Sequence, residues 1–144
     1  MQPFPHQYIA AATAAPEGEV SLSSEGIVSL PSAPPVPFGG PGDRWSPETL
    51  LTAAVADCFI LTFRAISAAS KLAWTDIRVQ STGTLDTVDR VPQFTAFALQ
   101  VELRVPAGTS EALATRLLEK TEKACLVAQS LKATPQVTAS VMEG

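Results

Sequence analysis

Histidine occurs once and cysteine twice in this chain of 144 residues. So few soft ligands do not make a zinc site, and no metal is expected. Positive charge is scarce as well. Residues 1–43 contain no lysine or arginine, and the whole chain carries a net charge of −4. Phosphate binding leans on a basic face, so no nucleic-acid partner is expected. No run approaches the ~20 apolar residues of a membrane span, and no membrane partner is expected. The opening MQPFPHQYIAAATAAPEGEV has neither a cationic start nor a continuous apolar stretch, so it does not read as a secretory signal. A cytoplasmic protein is expected. Internal repeats and long linkers are missing too. What is present is a hydrophobic fraction of 46%, enough at this length to bury one core, and residues 1–144 read as a single domain.

The first strands are short and alanine-rich: QYIAAATA, then VSLS after the turn PEGE, then IVSL after SEG. PSAPPVPFGGPGD (31–43) is too dense in proline and glycine for a helix or a central strand and reads as a loop. A helix follows. Ser46 fits its N-cap, Pro47 its first position and Glu48 the positive end of its dipole. The helical pattern runs to about Lys71 and is apolar around most of its circumference, which predicts a buried central helix. On a wheel of about 100° per residue, Asp57, Arg64, Ser67 and Lys71 share one quarter. Cys58 lies on the far side with Leu51, Ala54, Ala65 and Ala69.

TDIRVQSTGTL (75–85) and FTAFALQVELRV (94–105) read as two strands of a hairpin joined through DTVDRVPQ. In the second, Phe97, Leu99, Val101, Leu103 and Val105 face one way. An amphipathic helix capped by Thr109 or Ser110 comes next. Its stripe takes in Leu113, Ala114, Leu117, Leu118, Ala124, Ala128 and Leu131, with Cys125 at the edge. TPQVTASV is a last strand. The order of strands, long helix, hairpin, helix and strand predicts an α+β domain.

Two readings of Cys58 and Cys125 stand side by side. They lie 67 residues apart on different helices, with no Cys-x-x-Cys. Both can be buried small hydrophobes, because free cysteine is among the most buried residue types. Alternatively, Cys58 is a reactive thiol. A mid-helix cysteine gains little from the helix dipole, and Asp57 opposes a thiolate, so a cation has to come from elsewhere. Arg64 sits about 120° away around the helix. Arg44, the first cation in the chain, is the better candidate, and Glu48 can hold its guanidinium bidentately. The other reading of that pair is a helix-start glutamate near a solvated arginine. Ten residues of helix put Glu48 and Cys58 roughly 15 Å apart along the axis. A site made of all three is then most simply drawn from two subunits across a two-fold interface.

RWSPETLLTAAVADCF, followed about 65 residues later by EKACLVAQSLKA, resembles the OsmC/Ohr family of osmotically inducible and organic hydroperoxide resistance proteins. The resemblance runs from about Phe38 to the C-terminus. It rests on an Asn/Ser-Pro-Glu helix start, a cysteine ten residues after the glutamate, and a second cysteine in a later helix. It implies an OsmC-like fold, an intertwined homodimer with the central helix wrapped by sheets, and reduction of organic or fatty-acid hydroperoxides. It further implies Cys58 as the peroxidatic thiolate, Cys125 as the resolving thiol, and Arg44 and Glu48 as activating and orienting residues. Trp45, Leu51, Ala54 and Phe59 become candidate substrate contacts, their alternative being plain core. No bound cofactor is implied, but an external dithiol reductant is, commonly a lipoyl group on another protein. The chain departs from the family at three places. In the Ohr branch the activating arginine lies further upstream, and the second cysteine is often followed by Pro and, further on, Asn, where this chain has Leu126 and Gln129. A non-catalytic binding or interaction module and a redox sensor acting through Cys58 are the competing functions.

Overall fold

Short antiparallel pairings open the computed structural model, which describes residues 2–144. Strands β1 (Ala11–Thr13), β2 (Val20–Ser23) and β3 (Leu30–Ser32) form a sheet in that order. β1 is shorter than the stretch expected and β2 matches VSLS, but β3 keeps only Leu30 of IVSL and runs into Pro31 and Ser32, read as loop, which an edge strand tolerates. The proline-rich loop then makes a 3-10 turn, Val36–Phe38, and passes through Gly40. A Cβ at Gly40 would overlap the Pro34 carbonyl, so only glycine fits there. Trp45 bridges back to Ser32, and its carbonyl accepts from Ala33 N–H at 2.9 Å. The chain divides into two compact units, one reaching to Leu50 and the other Leu51–Gly144.

Helix α1 (Pro47–Ala69) starts as its sequence dictates. Ser46 Oγ accepts from Thr49 N–H at 3.1 Å, and Thr49 Oγ1 accepts from Ser46 N–H at 2.9 Å. This is a capping box with threonine in the place of the usual Glu or Gln. The helix stops at Ala69, two residues before the expected end. Lys71 turns to φ 55°, Leu72 N–H donates to Ser67 O at 3.0 Å, and Lys71 N–H donates to Ala68 O at 3.2 Å. That Schellman closure favours glycine at the position Lys71 occupies. Lys71→Gly is therefore expected to stabilise the fold by about 0.5–1 kcal/mol. A higher urea midpoint at unchanged slope would show it.

In the second unit, β4 (Asp76–Val88) and β5 (Val91–Val105) form the expected hairpin. Asp89 and Arg90, at φ 50° and 68°, make its two-residue turn with the backbone of a type I′ turn. Strand β6 (Gln136–Glu143) adds to β5 in parallel, giving the order β4-β5-β6. Phe97, Leu99, Val101, Leu103 and Val105 are all buried, as their period of two requires. They share one core with Val55, Phe59 and Phe63 of α1. Gly83 on β4 has a close-approach role here. A Cβ there would come within 3.0 Å of the side chains of Thr52, Phe94 and Phe97.

Two details of α1 correct the sequence reading. Its buried face is Val55, Phe59, Phe63 and Ser67, spaced four apart, so Ser67 belongs to the core and not to the polar quarter. Ser67 Oγ accepts the Trp74 indole N–H at 3.0 Å, and the Trp74 ring meets Phe63 edge-on at 5.6 Å between centroids. Second, the helix is not buried all round in one chain. Leu61 is 52% exposed. By length and composition alone α1 is also sufficient to cross a bilayer, which a search for unbroken apolar runs does not detect. Its aromatic face is nevertheless spent on the sheet.

Helix α2 (Glu111–Ala124) is capped by Ser110, whose Oγ accepts from Leu113 N–H at 3.1 Å, which settles the choice between Thr109 and Ser110. Ala114, Leu117, Leu118 and Thr121 form its buried side. The stripe then passes to Cys125 and leaves Ala124 exposed, the reverse of the expected edge. The helix also breaks. A separate short helix, α3 (Leu126–Gln129), follows Cys125. The architecture is the α+β class read from the sequence.

Candidate active site

The break at Cys125 shapes the chemistry. Cys125 has extended backbone, φ −65° and ψ 113°, and caps α2 at its end and α3 at its start. Its carbonyl accepts from Gln129 N–H at 3.2 Å. Had the helix continued, the N–H groups of Leu126 and Val127 would have been directed to carbonyls of α2. The break frees them, and both favour an ionised Cys58.

Both cysteines are free thiols; Cys58 is half-buried and Cys125 is 2% exposed. Burial works against a Cys58 thiolate, but hydrogen bonds from Val127 N–H, the Cys125 thiol, Thr62 and Leu126 N–H outweigh it and hold its pKa below the ordinary thiol value. Thr62 Oγ1 lies 3.9 Å from Cys58 Sγ, one helical turn on. Cys125 goes the other way. Burial raises it, Ala128 N–H partly opposes this, and the neighbouring Cys58 sulfur adds to the rise, leaving the thiol at about 11. Two neighbouring thiols thus have their ionisation divided, one poised to lose its proton and one to keep it.

Leu126 is where the family often places proline, and proline has no N–H. Leu126→Pro should keep the local fold, because Leu126 is the first residue of α3 and Cys125 already has pre-proline backbone. It removes one donor, so the Cys58 pKa is expected to rise. Alkylation of Cys58 by iodoacetamide as a function of pH reads that shift directly.

Arg44 pairs with two carboxylates that precede it in the chain. Arg44 Nε donates to Glu19 Oε2 at 2.7 Å, and its Nη1 lies 3.2 Å from Asp43 Oδ2. Glu48 takes its place as the acidic residue in the first turn of α1. Arg44, Trp45 and Thr49 line an open cavity of about 400 Å³ with Pro31, Gly42 and Asp43. Of the candidate substrate contacts, Trp45 is 47% exposed in that cavity, whereas Phe59 is 1% exposed and is core. Leu51 packs partly buried against the core, and Ala54 is half-buried. A second, smaller cavity touches Cys125.

Several functional groups were out of reach of residue-type reasoning. Thr62, four residues after Cys58, carries a visible signal in its spacing. Val127 and Leu126 act through backbone N–H groups and carry none. Among the described residues no group of three His, Cys, Asp or Glu side chains converges as a metal site would require. The single histidine is engaged locally, with Nδ1 3.0 Å from Tyr8 Oη and Nε2 2.9 Å from the Gln2 carbonyl.

Comparison with known proteins bears on the fold and the family. YmaD of Bacillus subtilis (strain 168), itself uncharacterised, is 25% identical over 144 residues, covering 96% of both chains. An OsmC-like protein of unknown function from Vibrio cholerae superposes with a TM-score of 0.83 at 15% identity, over 95% of this chain and 99% of its own, a likeness of fold alone. The structure of an organic hydroperoxide resistance protein, OsmC, from Legionella pneumophila is 25% identical with a TM-score of 0.74, over 97% of this chain and 99% of its own. The family model for OsmC-like proteins matches residues 40–140, and the chain belongs to that family.

Proposed function

We propose that this protein reduces organic hydroperoxides, fatty-acid hydroperoxides among them, to alcohols, with Cys58 as nucleophile and Cys125 as resolving thiol. The observation that carries the reading is the divided ionisation of two neighbouring thiols, Cys58 lowered and Cys125 raised. The Cys58 thiolate attacks one peroxide oxygen. The O–O bond breaks, its electron pair leaves on the alkoxide, and the alkoxide takes a proton to become the alcohol. Cys58 is left as a sulfenic acid. The Cys125 sulfur attacks that sulfur, and hydroxide leaves with the Cys125 proton as water, giving a disulfide. An external dithiol, of which a lipoyl group is one form, returns both thiols by exchange.

Arg44 and Glu48 are not required to ionise Cys58 in this scheme, because backbone and side-chain donors of the second unit do so. Arg44→Met is accordingly expected to leave the Cys58 pKa unchanged. A loss of kcat at that unchanged pKa would assign Arg44 to the alkoxide instead. A rise in the Cys58 pKa would return it to the activating role.

The working form is proposed to be a cytoplasmic homodimer. Only 17% of the apolar window of α1 is buried in one chain, and a second copy is the simplest cover for the remainder. The test of the function is consumption of cumene hydroperoxide by reduced protein with dithiothreitol. Turnover should rise with pH and level off below the ordinary thiol range, because the ionised fraction of Cys58 sets the rate. Negligible consumption at every pH would favour a binding module.

A further inference from the structure

Cys125 is almost wholly shielded from solvent, yet it forms part of the wall of a cavity of about 100 Å³ together with Phe59, Glu122, Gln129, Thr134 and Val137. Cys58 does not line this cavity and is half-exposed on its own account. The two sulfurs therefore have separate approaches. The geometry points to Cys125 Sγ as the atom that a slim, uncharged dithiol attacks, through this cavity, when the Cys58–Cys125 disulfide is reduced. The inference rests on the peroxidase reading for how that disulfide arises.

Exchange at a disulfide needs the attacking thiolate behind the attacked sulfur, in line with the S–S bond. A cavity bordered by Cys125 and not by Cys58 brings a thiolate inside it to Cys125 and not to Cys58. The reductant's thiolate bonds to Cys125 Sγ, the S–S bond breaks, and its electron pair leaves on Cys58 as a thiolate. The reductant's second sulfur, having lost its proton, attacks the first and closes a cyclic disulfide. Cys125 departs with the electron pair and is protonated. The dithiol loses two electrons and the protein disulfide gains them. Leaving-group chemistry points the same way, since the sulfur with the lower pKa leaves faster and that sulfur is Cys58.

The walls also select the reductant. A volume of about three waters at ~30 Å³ each admits the end of a primary thiol chain and excludes a cumyl group. Glu122, half-buried at the wall, disfavours an anionic thiol. One peroxide entrance and one thiol entrance would keep bulky hydroperoxides away from Cys125.

The test uses full-length protein whose disulfide is made with diamide, so that peroxide chemistry is bypassed. Reduction by 2-mercaptoethanol and by 3-mercaptopropionate is followed by acid quench, alkylation and peptide mass spectrometry. Rates are normalised to each thiol's rate on a small disulfide. The adduct is expected on Cys125, with Cys58 alkylated. The neutral thiol should be favoured by about fivefold, the effect of one charge a few ångströms away in water. Glu122→Gln should close that gap, and Thr134→Trp should slow reduction on the order of tenfold by blocking access. An adduct on Cys58, no charge preference, or failure of diamide to form the disulfide would each overturn the inference. If peroxide consumption is negligible but the diamide-made disulfide opens at Cys125, the peroxidase reading falls and this one stands.

Discussion

Cys58→Ser is expected to lose hydroperoxide consumption by on the order of 10³-fold or more, because an alcohol has no ionised form to offer near neutral pH. The donors around the site do not rescue it. Val127 N–H, Leu126 N–H and the Cys125 thiol stabilise an anion once formed, but they cannot supply the many pH units that separate a hydroxyl from a thiol. Cys125→Ser separates the two halves of the cycle. The serine hydroxyl can still donate to Cys58, so the first turnover should proceed and release about one alcohol per chain. With no second sulfur the sulfenic acid persists, and further peroxide oxidises it to the sulfinic acid. Quench-flow product counts and intact mass separate these outcomes: one fast equivalent of alcohol with one oxygen gained on Cys58, then a second, slower equivalent with the second oxygen. Multiple turnovers by Cys125→Ser at the wild-type rate would remove Cys125 from the cycle. Equal, negligible consumption by wild type and both variants would remove the enzyme reading altogether.

Parts of this site could be read from residues alone, and the parts that could not share a cause. Ser46 and Pro47 mark the start of α1 because capping depends on residue type within one turn. Strand β5 was readable because its five buried residues alternate without exception. The buried face of α1 was not readable. Alanine, leucine and isoleucine surround it, so no polar edge indicates which side meets the sheet, and Ser67 is buried because it receives the Trp74 N–H, a partner seven residues away. The break at Cys125 was equally silent. Good helix formers stand on both sides of it, with no glycine or proline, and the groups it frees are backbone N–H groups that no side chain announces. Arg44 illustrates the remaining difficulty. Its partner Glu19 lies 25 residues earlier and comes within reach through the pairing of short strands whose pattern is weak.

Phe63→Ala and substitutions at Leu61 should behave in opposite ways although they lie two residues apart on α1. Phe63 is fully buried against Trp74, and truncating it removes a ring from the shared core. The expected cost is about 3–5 kcal/mol, which lowers the melting temperature by on the order of 10 °C for a chain of this size. Leu61→Ala removes a half-exposed side chain and should change the stability of one chain by less than about 0.5 kcal/mol. Leu61→Asp is the informative variant. If a second copy covers this flank, a carboxylate there must be desolvated or the interface must open, so the protein should elute as a monomer while its circular dichroism stays native. Light scattering on Leu61→Asp that still reports a dimer would show that a second copy does not cover this flank of α1. In that case the half-exposed flank beside Cys58 is free for the hydroperoxide itself, and Leu61→Asp should then raise KM with little change in kcat.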